Sequence, residues 1–373
     1  MRASLVIAIL AIAVAGRCAV PGDPALLKPE AAQTMPGSAA AWYDVRGLGL
    51  EGVGFTDTET SYARLPARAK GVVPGPVWEL SKNTAGIAVR FVTDSTSIGA
   101  YWDGGTDYRM NHMAPTGSAG LDLYQRREGR WVFRGAGRPT GSVTSQTLAT
   151  GLPNTMTEYL LYLPLYHDVV SVKLGVEKAA RLAPAPPRAK KPIVFYGTSI
   201  TQGGCASRAG MCHVAILGRW LDREVINLGF SGNGRGEMEV CDLVNEIDAG
   251  VFVLEPVGNM TVEEVRERME PWVHKLRAKH PDTRILLVES SVHMDSGPKV
   301  DAMRAAHANL KKAGVKNLWY LAGGANLRKG VGKARPGDAE NLTVDGIHPT
   351  DLGFLRMAEN YMLVMEEIVA TAE

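Results

Sequence analysis

A β-rich half followed by an α/β half built on a parallel sheet is the fold class this sequence predicts, and two textures and one break between them carry the expectation. Residues 43–180 hold short alternating stretches, among them Ile87-Ala88-Val89-Arg90-Phe91, Trp131-Val132-Phe133 and Val170-Ser171-Val172-Lys173-Leu174, separated by Gly, Asp, Asn and Pro turns. Period-two alternation marks half-buried strands, and many short ones in succession read as a β-sandwich. After Pro192, five apolar runs at 193–196, 225–228, 251–254, 285–288 and 318–321 are spaced by segments of helical length and period. Strands apolar on both faces belong to a parallel sheet covered by helices on each side. Between the textures lies Arg181-Leu182-Ala183-Pro184-Ala185-Pro186-Pro187-Arg188. Each proline there removes a backbone donor and fixes its own φ, so neither a helix nor a central strand continues through it.

In chain order, Met1-Arg2 and the apolar run 5–15 match the charged and apolar regions of a secretory signal peptide, and the run is too short to span a bilayer comfortably. Ala13 and Ala15, or Ala19, offer the cleavage site. Residues 1–19 are therefore expected to be a signal peptide, and the mature protein secreted or periplasmic. Cys18 does not fit a lipid-anchor site, because Arg17 precedes it where a small residue is expected. Residues 20–41, rich in Ala and Pro, form a leader, 42–180 the β-sandwich, 181–191 a proline-rich linker and 192–373 the α/β domain. Forty-one basic residues against 39 acidic ones leave a net charge of +2 with no long run of either sign. That balance argues against nucleic acid, and against membrane attachment after signal cleavage, and favours a small neutral or polysaccharide substrate. Three cysteines, Cys205, Cys212 and Cys241, remain beyond the signal. Their odd number excludes complete internal pairing; Cys205 and Cys212 either bridge in an oxidising compartment or stay buried as free thiols.

In a doubly wound sheet the ligand site lies beyond the carboxyl ends of the strands. The first strand there ends in Gly197-Thr198-Ser199-Ile200-Thr201, placing Ser199 on a strand-to-helix turn. Serine also caps helices, so the rest of the chain must decide its role. Near the C-terminus, Asp345-Gly346-Ile347-His348-Pro349 sets a carboxylate three residues before a histidine. That spacing lets Asp345 reach the imidazole Nδ1 while Nε2 faces a serine hydroxyl. Ser199, His348 and Asp345 are thus the candidate catalytic set, with His213 and His293 as alternative bases. An oxyanion needs donors. The Ser199 N–H, the Gly232 amide after the second run and the Asn259 side chain after the third are the candidates; a turn glycine and a helix-capping asparagine are the plain alternatives for the last two.

Ser199, Gly232, Asn259 and His348 occur in the order that gives the SGNH hydrolase family its name, and residues 192–373 resemble that family. The first block resembles its Gly-Asp-Ser motif, with Thr198 where Asp is frequent. Asp345 to His348 matches its Asp-x-x-His motif, and Met260 stands where Asp usually follows Asn259. These departures resemble a variant branch. Gly120-Leu121-Asp122-Leu123-Tyr124 is similar to the Gly-x-Asp-Leu-Tyr signature of a domain found ahead of such hydrolases, which extends the resemblance to about 43–373. It implies a jelly-roll-like sandwich, a flavodoxin-like hydrolase domain, and activity as a carbohydrate esterase or acyltransferase. Gly203-Gly204-Cys205-Ala206-Ser207-Arg208 also resembles that branch, with Arg208 either lining the site or in a surface ion pair. The expected chemistry is hydrolysis of a short acyl ester, acetyl first, on a carbohydrate through an acyl-enzyme. Transfer to a hydroxyl acceptor and a vestigial carbohydrate-binding role are the alternatives. Gly232-x-Gly234-x-Gly236 lacks dinucleotide spacing, no phosphate-loop lysine follows Ser199, Thr201 replaces the second glycine of an α/β-hydrolase elbow, and no His-Glu-x-x-His is present. No cofactor and no metal are expected. Tyr101, Trp102 and Trp131 are core aromatics or sugar-stacking residues, and Asn111-His112-Met113 and 120–124 are turns or walls of the site.

Overall fold

The computed structural model describes residues 25–104, 110–289, 296–323 and 341–370. The expected signal peptide, the start of the leader, and His293 lie outside them. Two antiparallel sheets face each other in the first half. One runs, in spatial order, β1 (Ala41–Asp44), β9 (Val169–Val176), β4 (Ser97–Gly104) and β7 (Val143–Thr150). The other runs β10 (Leu182–Pro184), β3 (Ala88–Thr93), β8 (Thr157–Tyr162), β5 (Asp122–Arg127) and β6 (Arg130–Ala136), with β2 (Leu50–Glu51) beside β3. Ile98, Ala100 and Trp102 of β4 alternate inward to meet Val89 and Phe91 of β3 and Tyr159 and Leu161 of β8. All are buried, each large one stabilising the sandwich by roughly 1.5–3 kcal/mol. Trp102 is therefore core. Tyr101 instead lies under the Lys173 ammonium and Trp131 under the Arg126 guanidinium.

Residues 182–184, expected to belong to a linker, are strand β10. The proline is tolerated because β10 sits at the sheet edge, where a strand needs ladder bonds on one side only.

The five apolar runs form one parallel sheet of β11 (Ile193–Gly197), β12 (Val225–Gly229), β13 (Val251–Glu255), β14 (Arg284–Val288) and β15 (Leu318–Leu321). Their spatial order is β12-β11-β13-β14-β15, the flavodoxin-like arrangement. Alternate residues of β11 serve opposite faces. Ile193 and Phe195 pack toward α4 (His213–Trp220) and the C-terminal helix α8 (Asp351–Ala370). Val194 and Tyr196 pack toward α5 (Met238–Val244), α6 (Val262–Lys279) and α7 (Pro298–Lys312). The chain reverses its winding at β11, and the crevice at its carboxyl end opens there. Shorter α-helices among the described residues are α1 (Gly75–Leu80), α2 (Pro115–Ser118) and α3 (Ser199–Gln202). Among the described residues no helix is long and apolar enough to cross a membrane.

The strap at residues 55–80 departs from the expected organisation, in which 42–180 form the sandwich alone. Phe55, Leu65, Val73, Val77 and Trp78 instead join the core of the parallel sheet, beside Ile226, Leu228, Phe252 and Leu254. A break in β-alternation cannot reveal this, since the strap's apolar residues find their partners far along the chain. Arg64 fastens it. This fully buried guanidinium donates to the carbonyls of Asn83, Leu80, Asn227 and Gly229, at 2.7, 2.7, 3.0 and 2.7 Å, and lies 4.9 Å from the Phe230 ring centre. Burial pushes its pKa down to about 9, which still leaves it charged at neutral pH. Arg64→Met keeps the apolar stem but strands these carbonyls without a donor. We expect it to lower the unfolding free energy by about 3 kcal/mol or more. Urea denaturation followed by circular dichroism checks this, and an unchanged midpoint would contradict the assigned role.

Candidate active site

Gly197 ends β11, and the chain turns at once into the single turn α3. Thr198 caps it: its Oγ1 accepts the Ile200 N–H at 3.3 Å, while Thr201 Oγ1 accepts the Thr198 N–H at 3.1 Å. A threonine where the related motif often carries Asp thus has a local function, since both fill the N-cap role. As the first helical residue, Ser199 has no intrahelical acceptor for its own N–H. Its side chain, 7% exposed, points at His348, with Oγ to Nε2 at 3.0 Å.

His348 lies on the loop that leads into α8. The loop closes on itself through the Val344 N–H to the His348 carbonyl at 2.8 Å and the Thr350 N–H to Leu342 at 2.9 Å. Asp345 Oδ2 takes His348 Nδ1 at 2.8 Å, and its Oδ1 takes the backbone N–H groups of Ile347 and His348 at 3.0 and 2.8 Å. Burial opposes ionisation of Asp345, but the two amides and the imidazole outweigh it and hold the carboxyl well below the usual range. A fixed carboxylate on Nδ1 leaves the Nε2 lone pair facing the serine hydroxyl. The three predicted residues therefore meet in one hydrogen-bonded line. His213 does not join it: the ring is fully buried, its Nε2 lies 3.1 Å from Glu255 Oε2, and it stacks on Phe354. The same Glu255 oxygen accepts Thr201 Oγ1 at 2.9 Å, so this buried pair supports the turn that carries Ser199 from behind.

The loop after β12 lies over that turn. The Phe230 N–H donates to the Gly197 carbonyl at 2.9 Å and the Ser231 N–H to Gln202 Oε1 at 3.0 Å. Gly232 follows in the left-handed region, and Asn259 Nδ2 donates to the Asn233 carbonyl, tying the third-strand loop to the second. One amide proton of Asn259 is thereby committed.

The β-sandwich supplies a wall, for which the sequence offered His112 but not Tyr166. Tyr166 Oη donates to the Ser199 carbonyl at 3.1 Å, and the His112 ring stands edge-on to His348 with centroids 5.6 Å apart. Asp122, the acid of the Gly-x-Asp-Leu-Tyr stretch, is fully buried; it accepts Arg208 Nη1 at 2.7 Å and the Gly210 N–H at 2.9 Å. Arg208, weighed for the site or for a surface ion pair, instead pairs with this buried carboxylate across the junction of the two halves. Cys205 and Cys212 are free thiols, which overturns the bridge weighed for them. Cys205 Sγ lies among His112 and His348, whereas Cys212 Sγ faces the Ala209 carbonyl at 3.7 Å. Burial, aided by the charge of Asp345, pushes the Cys205 thiol up to about 11.

Two family models match this chain. Residues 190–366 match the GDSL-like lipase/acylhydrolase family, and residues 40–182 match the GxDLY N-terminus of SGNH-hydrolase-type esterases. The chain belongs to this SGNH/GDSL family of carboxylic ester hydrolases. A solved structure from Bacteroides ovatus ATCC 8483, described as a GDSL-like lipase, is 34% identical over 89% of this chain and 98% of its own, with a TM-score of 0.80. Two more distant structures share the fold over 89% of this chain. One is a salicylyl-acyltransferase from a tetracycline biosynthetic pathway (18% identity, 98% of that chain, TM-score 0.70). The other is an acetyl xylan esterase from the rumen bacterium Butyrivibrio proteoclasticus (12%, 99%, 0.57). No curated protein sequence matches significantly.

Gly204 marks how tightly the site is closed. A Cβ there would stand 2.9 Å from Tyr166 Oη and 3.2 Å from both His348 Cδ2 and the Ser199 carbonyl oxygen. Gly204→Ala should displace the imidazole and lower kcat on an aryl acetate by about tenfold to a hundredfold with little change in Tm. Wild-type kcat in the variant would show that the ring tolerates the methyl.

Proposed function

We propose that the protein is a serine esterase that removes short acyl groups, acetyl first, from carbohydrates. The observation that carries this is the line Ser199 Oγ, His348 Nε2, His348 Nδ1, Asp345 Oδ2, with links of 3.0 and 2.8 Å. His348 takes the Ser199 proton as Oγ attacks the ester carbonyl. The oxyanion rests among the Ser199 N–H, the Gly232 N–H and the side-chain amide of Asn259. Collapse expels the alcohol, which receives the proton from His348. Water, deprotonated by His348 in turn, then attacks the acyl-enzyme, and His348 returns that proton to Ser199 Oγ as the acid leaves.

The site loops are Gly-rich and polar, offering little apolar surface to a long chain, and the acetyl xylan esterase shares the fold. A wall contributed by the sandwich, with His112 beside the base, suits an alcohol larger than the acyl group. The acyltransferase likeness supports a second reading, in which a hydroxyl acceptor replaces water at the acyl-enzyme.

On an aryl acetate, Ser199→Ala should lose at least about a thousandfold in kcat/KM. His348→Ala should cost more than Asp345→Asn, and the Asp345→Asn loss should persist from about pH 5 to about pH 8, because the wild-type carboxylate is ionised throughout. Across aryl esters from acetyl to dodecanoyl, kcat/KM should fall by at least about tenfold. Retention of a tenth of the activity in Ser199→Ala would refute the mechanism, and a preference for dodecanoyl would refute the short-acyl reading. Acetate released from acetylated xylan or pectin identifies the hydrolase, and acylated alcohol accumulating in its place identifies the transferase.

We also propose export, on the strength of Met1-Arg2 and the apolar run 5–15. Mass spectrometry of the protein expressed with its full N-terminus should find the mature chain starting after Ala15 or Ala19, and an intact residue 1 would count against it.

A further inference from the structure

Three side chains from three distant stretches meet beside the nucleophile: His112 from the sandwich, Cys205 from the loop after α3, and His348 from the C-terminal loop. One donor atom of each lies within 4.8 Å of the other two. Ligands of a tetrahedral zinc ion stand roughly 2.0–2.3 Å from the metal, and so about 3.3–3.8 Å from one another. Side-chain rotations closing about 1 Å would bring these three into that range.

Both imidazoles are already prepared for such a role. His348 Nδ1 is held by Asp345 at 2.8 Å, and His112 Nδ1 by Asn111 Oδ1, also at 2.8 Å. Each partner oxygen only accepts, so each ring carries its proton on Nδ1 and presents the Nε2 lone pair. A carboxylate or amide oxygen behind the far ring nitrogen is the usual outer support of a metal-bound histidine.

Cys205 adds a separate observation. It is buried and holds a φ of +73°, in the left-handed region that a cysteine enters only at a cost. In that conformation its sulfur joins the two histidines. Two nitrogens and one sulfur, with a fourth position open, form a donor set suited to a borderline-soft ion and unsuited to Mg²⁺ or Ca²⁺.

We propose that His112, Cys205 and His348 form a binding site for a divalent transition-metal ion, Zn²⁺ foremost, and that the bound ion reversibly silences the esterase. Binding forms two metal–nitrogen bonds and one metal–sulfur bond; the Cys205 proton leaves to solvent, and no oxidation or reduction takes place. The His348 lone pair that would accept the Ser199 proton is then spent on the metal. Only the silencing rests on the proposed esterase mechanism, since the metal site stands on its own geometry.

The test uses the full-length protein, stripped with chelator and titrated with CoCl₂ and then ZnCl₂. One equivalent of Co²⁺ should produce a near-ultraviolet sulfur-to-cobalt charge-transfer band, which Zn²⁺ abolishes by displacement. Cys205→Ser should lose the band. Asn111→Ala, an exposed change that leaves the packing intact, should weaken Zn²⁺ binding by about tenfold or more through loss of support for His112. Hydrolysis of an aryl acetate should fall with added Zn²⁺ over the same concentration range and return with chelator. No band in the wild type, or a band retained in Cys205→Ser, overturns the site. Zn²⁺ occupancy with undiminished hydrolysis overturns the silencing. A band in a protein whose Ser199→Ala variant keeps its activity would instead remove the proposed mechanism and leave the metal site standing.

Discussion

The buried carboxylate of Asp122 holds the two halves of this protein in the relation that the site requires. It sits on a strand of the sandwich, yet two of its donors, Arg208 and the Gly210 amide, belong to the loop that follows the Ser199 turn. That loop carries Gly204, which makes room for His348, and Cys205, which lies against it. A carboxylate taken wholly out of water is costly unless its charge is met by donors, and here they come from across the junction. Arg208 is fixed in turn over the Phe133 ring, 3.9 Å from its centre. The Gly-x-Asp-Leu-Tyr stretch is therefore the fastening between a scaffold and the wall of a site.

With that wall set, the remaining geometry follows from the one-turn helix. Ser199 stands at the reversal point of the sheet, its carbonyl engaged by Tyr166 and its turn capped by Thr198 and Thr201. The backing is polar and buried: Thr201, Glu255 and His213 are linked beneath the turn while the hydrophobic core surrounds them. A serine hydroxyl mounted this way has little freedom to swing, which is the fixed approach that the proposed attack on an ester carbonyl would need.

What the sequence made legible was local. Five apolar runs declared the parallel sheet because both faces of each strand are buried, and Asp345 with His348 declared themselves because three residues separate them. Ser199 was visible from its place at the end of the first run. Contacts spanning long separations were not. Arg64 bonds a carbonyl 163 positions away, and no periodicity records that. His112 and Cys205 fit no metal-site spacing, and their approach to His348 exists only once sandwich and sheet have docked. The pairing weighed for Cys205 and Cys212 failed for a related reason. Closeness along the chain does not say which way two side chains face, and the left-handed backbone at Cys205 turns its sulfur toward the histidines.

The strap at 55–80 has a consequence for how the chain comes into being. It leaves the ribosome well before β11, β12 and β13, the strands it covers. At ordinary rates of synthesis its Phe55, Val73 and Trp78 wait on the order of ten to thirty seconds for a partner surface. During that interval the sandwich can close around its own core while the strap hangs from it as an apolar ribbon. Nascent chains of this protein thus offer a timed target to holding chaperones, one that vanishes when the third strand of the sheet arrives.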